Sequence, residues 1–196
     1  MIQSDKFDSS NMDIKKLANI ALNFIIARLI EITGIAVSIL GVILLISLLS
    51  YSPNDPNFIF PENDEIKNLL GFRGSYISDL FFQSLGIISY LISVTFIFTG
   101  ISIFKTKKFI FIIENIFYSI PYCLIGSLFF SNFYQDTFKL YINGNGGFVG
   151  NYLNTTTLNN IINSNENIFY YLFIILITFF FLLSINFKPK NFYLSS

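Results

Sequence analysis

Glu114 is the one carboxylate lying well inside a long apolar run of this chain, so its type and place could most readily do chemistry. An acid in hydrocarbon can serve as a proton or cation site, and a charge near the bilayer centre costs at least ~2.5–3.5 kcal/mol on insertion scales. Glu114 stands five residues from the start of its run at Phe109, a depth of about 7–8 Å at the helical rise. At that depth it can reach the headgroups or meet Lys107 or Lys108, so we expect an interfacial charge that stays wet rather than an ion site. The chain has no histidine, which removes the commonest general base and the commonest zinc ligand. Cys123 is alone and lies in an apolar run, where it reads as a small hydrophobe. The sequence holds no G-x4-G-K-[ST] loop, hence no cradle of N–H groups and lysine for nucleotide phosphates. With no nucleophile–base pair and no clustered metal ligands, neither an enzymatic activity nor a cofactor is expected.

The surroundings of Glu114 explain why chemistry is scarce. The chain is 53% hydrophobic, with 12% charged residues and a formal net charge of zero; a soluble domain usually carries about 25% charged residues. Zero net charge offers no electrostatic footprint for nucleic acid, so direct nucleic-acid binding is not expected. Four apolar runs, roughly 32–49, 80–104, 109–130 and 168–187, are each close to the ~20 residues a helix needs to cross a bilayer core. In hydrocarbon the backbone must be satisfied within each segment, so the runs read as helices. The expected fold is all-α, a polytopic integral membrane protein of four transmembrane helices arranged as two hairpins. Residues 1–31 form a cytoplasmic N-terminal segment, 32–187 the four-helix membrane domain and 188–196 a tail.

Lysine and arginine set the expected orientation. Lys6, Lys15, Lys16 and Arg28 precede the first run, Lys105, Lys107 and Lys108 lie in the short turn between the second and third, and Lys188 and Lys190 follow the fourth. The two longer connections hold only Lys67, Arg73 and Lys139. By the positive-inside rule both termini and the 105–108 turn are cytoplasmic and the longer loops face outward. About thirty residues containing several acids precede the first run, and no small-x-small pattern follows it, so that span reads as a retained anchor and not a cleaved signal. Within 14–31, apolar residues recur on one helical face. Two readings stand: an amphipathic helix on the cytoplasmic surface running into span one, or one long tilted span with Arg28 and Glu31 paired at i, i+3. Tryptophan is absent, so tyrosines such as Tyr51, Tyr76, Tyr170 and Tyr171 must supply the interfacial belt.

The outward loops carry the motifs. Span one ends in LLSYSPNDPNF, a helix stop at a water interface. Asp79 is read at the mouth of span two, where it could cap the helix. GFRGSYI at 71–77 and GFVGNYL at 147–153 share G-F-x-G-x-Y-aliphatic, which suggests two related hairpins. The glycines are expected to permit tight or left-handed backbone in turns, with close packing between protomers as the sharper alternative. Gly34, Ala36, Ser38 and Gly41 offer span one a small face, while Gln83, Ser84 and Ser89 could bond between helices and Pro121 should kink span three.

The run LLSYSPNDPNF followed by Asn68, Gly71, Gly74, Asp79 and Gly86, at N-x2-G-x2-G-x4-D-x6-G spacing, resembles the N-terminal four-helix membrane domain of FtsK/SpoIIIE-type DNA translocases. Gly146, Gly147 and Gly150 fall where that domain has a second glycine-rich element. The resemblance covers about 30–187 and is strongest over 48–92; the asparagine-rich segment 151–167 departs from it. It implies an anchor in the bacterial inner membrane that oligomerises with itself, contacts division proteins and links chromosome transport to cell division at the septum. It also implies a motor C-terminal to the domain. No motor lies before Ser196, so this chain alone should neither hydrolyse ATP nor pump DNA; a separately encoded anchor, a truncated product and a fragment all remain open. The alternative reading, from Glu114, the kinked span and the hairpin repeat, is a small transporter or channel subunit.

Overall fold

The computed structural model describes residues 2–56, 65–135, 143–156 and 158–187, with side chains from Lys16 onward. Among these residues every regular element is helical: α1 Ile2–Leu49, α2 Gly71–Leu85, a single 3-10 turn Gly86–Ile88, α3 Ser89–Thr106, α4 Ile110–Phe133, α5 Gly147–Asn154, α6 Leu158–Ser164 and α7 Glu166–Ser184. Four stretches are long and apolar enough to cross a membrane: Lys16–Leu49, Gly71–Thr106, Ile110–Phe133 and Glu166–Ser184. These match the four expected spans, with different bounds. The tail 188–196 and the loop lysine Lys139 lie outside the described residues.

Residues 14–31 and span one form one uninterrupted helix. Arg28 and Glu31 pair on that helix, and Glu31 also receives Lys107 Nζ at 2.9 Å. The Arg28–Glu31 pair is the i, i+3 contact expected on this stretch, and an unbroken helix is common to both readings of 14–31.

Span two differs most from the sequence reading. Its helix starts at Gly71 instead of residue 80, and it bends at Gly86, whose φ is 72° and ψ −149°. The polar residues of 71–79 made this stretch look like loop, but Ser75, Ser78 and Asp79 all point into the protein. Lys107 closes the α3–α4 turn in left-handed conformation, its N–H donating to the Ile103 carbonyl at 2.8 Å. Pro121 lies inside α4, which continues as helix on both sides of it.

Neighbouring spans run antiparallel. The first half is held by small residues, as the sequence suggested. A methyl on Gly34 would lie 2.7 Å from the Phe104 nitrogen, and one on Gly41 would lie 2.7 Å from the Ile97 nitrogen. Gly100 faces Gly34 and Ser38 from α3, and Ser38 Oγ donates to the Ile97 carbonyl at 3.0 Å. Ala36 is exposed and lies off this face; the contact uses positions 34, 38 and 41, one side of a helix. Leu44, Leu48 and Phe82 continue the packing toward the far end. In the second half, α4 and α7 meet through aromatic rings, with Phe129 against Tyr170 and Tyr122 edge-on to Phe181.

The halves are joined by buried polar ties between spans. Thr95 Oγ1 lies 2.9 Å from Tyr122 OH and 3.0 Å from Ser184 Oγ, linking α3, α4 and α7. Asn115 donates to Thr99 Oγ1 at 2.7 Å and accepts from Asn186 Nδ2 at 2.8 Å. Such bonds are worth ~0.6–2 kcal/mol each between membrane helices.

Because a side chain at residue 100 must enter backbone of α1, Gly100→Ala is expected to lower stability in detergent by about 1–3 kcal/mol. Thermal unfolding followed by circular dichroism would measure it; an unchanged midpoint would contradict the close α1–α3 approach.

Candidate functional site

The helix stop after α1 folds back on itself. Asp55 is 2% exposed, and its two carboxylate oxygens accept the backbone N–H groups of Lys67 at 2.9 Å and Asn68 at 2.8 Å. The turn-forming SPNDP run thus fixes where the chain returns. Asn68 then serves three partners. Its Nδ2 donates to the Ser47 carbonyl at 2.9 Å, its Oδ1 accepts from the Leu70 N–H at 3.1 Å, and its carbonyl accepts from the Gly71 N–H at 2.9 Å. The amide lies flat on Gly74, where any Cβ would strike it. Ser47 Oγ donates to the Gly74 carbonyl at 2.6 Å and Ser75 Oγ to the Pro56 carbonyl at 2.8 Å. The N-x2-G-x2-G spacing is therefore a socket that holds the start of α2 against the end of α1.

Asp79 does not cap this helix. The position before α2 is Leu70, with no side-chain cap, and Asp79 lies two turns further on. It accepts from Tyr51 OH at 3.1 Å and from Gln83 Nε2 at 3.3 Å. Gln83 passes the connection to the second hairpin, accepting from the Asn143 N–H at 3.1 Å and from Asn143 Nδ2 at 3.2 Å. Ser89, by contrast, bonds back across the bend to the Phe81 carbonyl at 3.0 Å.

The second glycine cluster is a junction between the hairpins. Asn145 presses its carbonyl against Gly86 and accepts from the Ile87 N–H at 3.0 Å. A methyl on Gly147 would lie 2.6 Å from the Gly86 nitrogen. Gly146 and Gly150 lie against the Ser127 carbonyl of α4, and Ser127 Oγ donates to the Leu85 carbonyl at 2.8 Å. Asn151 accepts from Ser131 Oγ at 2.8 Å and donates to the Asn143 carbonyl at 2.6 Å.

The expected left-handed glycines are found: φ is 65° at Gly71, 72° at Gly86 and 62° at Gly147. The turn reading is nevertheless incomplete, because Gly74, Gly86, Gly146, Gly147 and Gly150 also permit close packing within one chain. The G-F-x-G-x-Y repeat has the same form in both halves. Gly71 and Gly147 each open a short helix with positive φ, each donating its N–H to the residue three before, and the glycine three later faces inward.

Glu114 belongs to neither cluster. It is half-buried on α4 near the opposite end of the bundle, and Lys107, one of the two lysines it could have met, binds Glu31. Several site residues were not singled out from sequence: Ser47, Asn143, Asn145, Ser127, Ser131 and Asn151. Their signal was weak, since serine and asparagine are frequent throughout the outward loops. Asp55 had been read only as a turn former.

These contacts define a multi-pass, all-helical membrane domain built from two hairpins fastened at one end. The chain belongs to the family described as the 4TM region of DNA translocase FtsK/SpoIIIE, whose model matches residues 27–189. It is 39% identical over 72 residues to the DNA translocase FtsK of Azospirillum brasilense, covering 36% of this chain and 11% of that protein. It is 32% identical over 62 residues to the DNA translocase FtsK of Rickettsia prowazekii (strain Madrid E), covering 32% of this chain and 8% of that protein. The match thus spans about a tenth or less of those curated relatives' length. No solved structure matches the chain.

Asp55→Ala leaves the buried Asn68 N–H and the part-buried Lys67 N–H without their carboxylate acceptor and is expected to cost about 2–4 kcal/mol. Gly86→Ala adds a side chain at positive φ against the Asn145 carbonyl and should cost roughly 2–5 kcal/mol. Thermal denaturation in detergent reads both, and protease susceptibility of the 143–156 segment should rise in the second.

Proposed function

We propose that this domain is a non-enzymatic anchor of an FtsK-type DNA-translocation system, in the bacterial inner membrane and concentrated at the division septum. The observation that carries the reading is the family match across nearly the whole four-helix bundle. The Asn68–Gly74 socket and the Gly86–Gly147 junction give that bundle a fixed shape. In this reading it oligomerises with further copies, contacts division proteins through its outward loops and does not itself touch DNA.

The N-terminal side of α1, the Lys105–Lys108 turn and the end of α7 all lie at one end of the bundle, as the Glu31–Lys107 and Asn115–Asn186 contacts require. The excess of basic residues at that end supports a cytoplasmic placement for both termini. The transporter alternative receives less support. The buried polar side chains within the spans bond to one another or to carbonyls, so they read as interhelical ties.

A fluorescent protein that matures only in the cytoplasm, fused after Ser196 and expressed in dividing cells, tests this reading. We expect a bright band at the septum, unchanged by Glu114→Gln. An even outline around the envelope would count against the septal role, a dark fusion against the orientation, and loss of a measurable ion flux in Glu114→Gln would favour the transporter.

A further inference from the structure

The span Gly71–Thr106 has 36 residues, about 54 Å of helix if straight, against a hydrocarbon core of ~30 Å. The surplus is α2, set off by the bend at Gly86. α2 is inverted relative to a helix on a soluble protein. It buries Ser75, Ser78 and Asp79 while leaving Phe72 50% and Leu80 57% exposed, with Arg73 on the same outer face. A helix facing water presents its polar side outward; this one turns its polar side to the protein.

α5 repeats the arrangement. Its glycines face Ser127 and Gly86, while Phe148 and Tyr152 are 62% and 63% exposed and stack at 6.2 Å. Phe72 and Tyr76 hold the equivalent places on α2, 6.4 Å apart. The shared motif therefore has two faces: glycine for packing within the chain, aromatic rings for whatever lies outside. Both short helices sit at the end of the bundle remote from the Lys105–Lys108 turn, and α2 leads through the bend at Gly86 into the span α3.

We infer that α2 and α5 are interfacial helices, lying in the headgroup layer of the leaflet opposite the Lys105–Lys108 turn with their aromatic faces in lipid. In a chain without tryptophan, Phe–Tyr pairs supply the amphipathic rings that settle at that depth. Arg73, between Phe72 and Tyr76, reaches outward to lipid phosphate with its stem along the apolar face. The two amphipathic helices, with their exposed rings, fit a membrane interface.

The absence of tryptophan makes the test direct. Phe72→Trp and Phe148→Trp, each in the full chain reconstituted in phosphatidylethanolamine–phosphatidylglycerol vesicles, place a single reporter on each face. Ile175→Trp, on the exposed side of α7, serves as the deep reference. We expect lipids brominated near the headgroup end of the acyl chain to quench residues 72 and 148 roughly two-fold, more than deeply brominated lipids do, with aqueous iodide nearly without effect. The Ile175 reference should show the reverse depth preference. Quenching by iodide without quenching by bromolipid would put these helices in water and overturn the inference; quenching by neither would put protein over the rings and overturn it equally. If either variant fails to reach the membrane fraction, Leu80→Trp and Tyr152→Trp, also at exposed positions of α2 and α5, give the same readings.

Discussion

Hydrocarbon supplies no hydrogen-bond partner, and every polar atom that this bundle carries below the headgroups must be answered from within. That single constraint accounts for most of the architecture. Between apolar helices there is little hydrophobic gain in leaving lipid for protein, so association relies on close backbone approach and on polar bonds. The first hairpin uses approach: Gly34, Gly41 and Gly100 let α1 and α3 touch backbone to backbone. The second uses rings, with Phe129, Phe133 and Tyr170 clustered between α4 and α7. Where the two hairpins meet, Thr95, Tyr122 and Ser184 form one tie, and Thr99, Asn115 and Asn186 another.

The same constraint gives the glycine motifs their meaning. At the end remote from the Lys105–Lys108 turn the chain must reverse direction twice without stranding backbone N–H groups. Asp55 and Asn68 solve this in the first half by accepting backbone donors with side-chain oxygens. In the second half the carbonyl of Asn145 takes the Ile87 N–H, which is possible only because residue 86 has no side chain. The solutions differ in detail but share a helix opened by left-handed glycine, which is why seven residues of similar sequence recur in both loops.

Much of this was legible beforehand. Span number, helical class and the small face at Gly34, Ser38 and Gly41 follow from hydropathy and from spacing, because lipid imposes both on the sequence. The glycines of the repeated G-F-x-G motif also stand out as candidates for left-handed backbone, but that Gly71 and Gly147 adopt it, and Gly86 with them, is seen only in the structure. The start of α2 was missed for a physical reason. Polarity marks a loop only when polar groups face water, and Ser75, Ser78 and Asp79 instead meet Pro56, Asn68 and Tyr51. Asn145 and Ser127 are invisible in the sequence because each acts through a contact with the other hairpin, at Ile87 and at Leu85, far away along the chain, which no local pattern encodes. Asp79 was misassigned as a cap by the same error in the helix boundary.

The placement of the ties bears on how α7 is held within the domain. Ser184 and Asn186 both bond into the bundle, to Thr95 and to Asn115. The end of α7 is therefore fixed to α3 and α4 and is not free to slide alone in lipid. α7 is otherwise the span with the smallest share of its apolar window buried within the chain, 11%. A helix so poorly covered would tilt or shift easily if lipid packing alone retained it, since the surrounding tails are as apolar as its own side chains. Two hydrogen-bonded ties at its end and an aromatic cluster at its start remove that freedom. Any displacement of the end of α7 would thus be shared with the other spans through Thr95 and Asn115, and through the Gly86–Asn145 junction with the first hairpin.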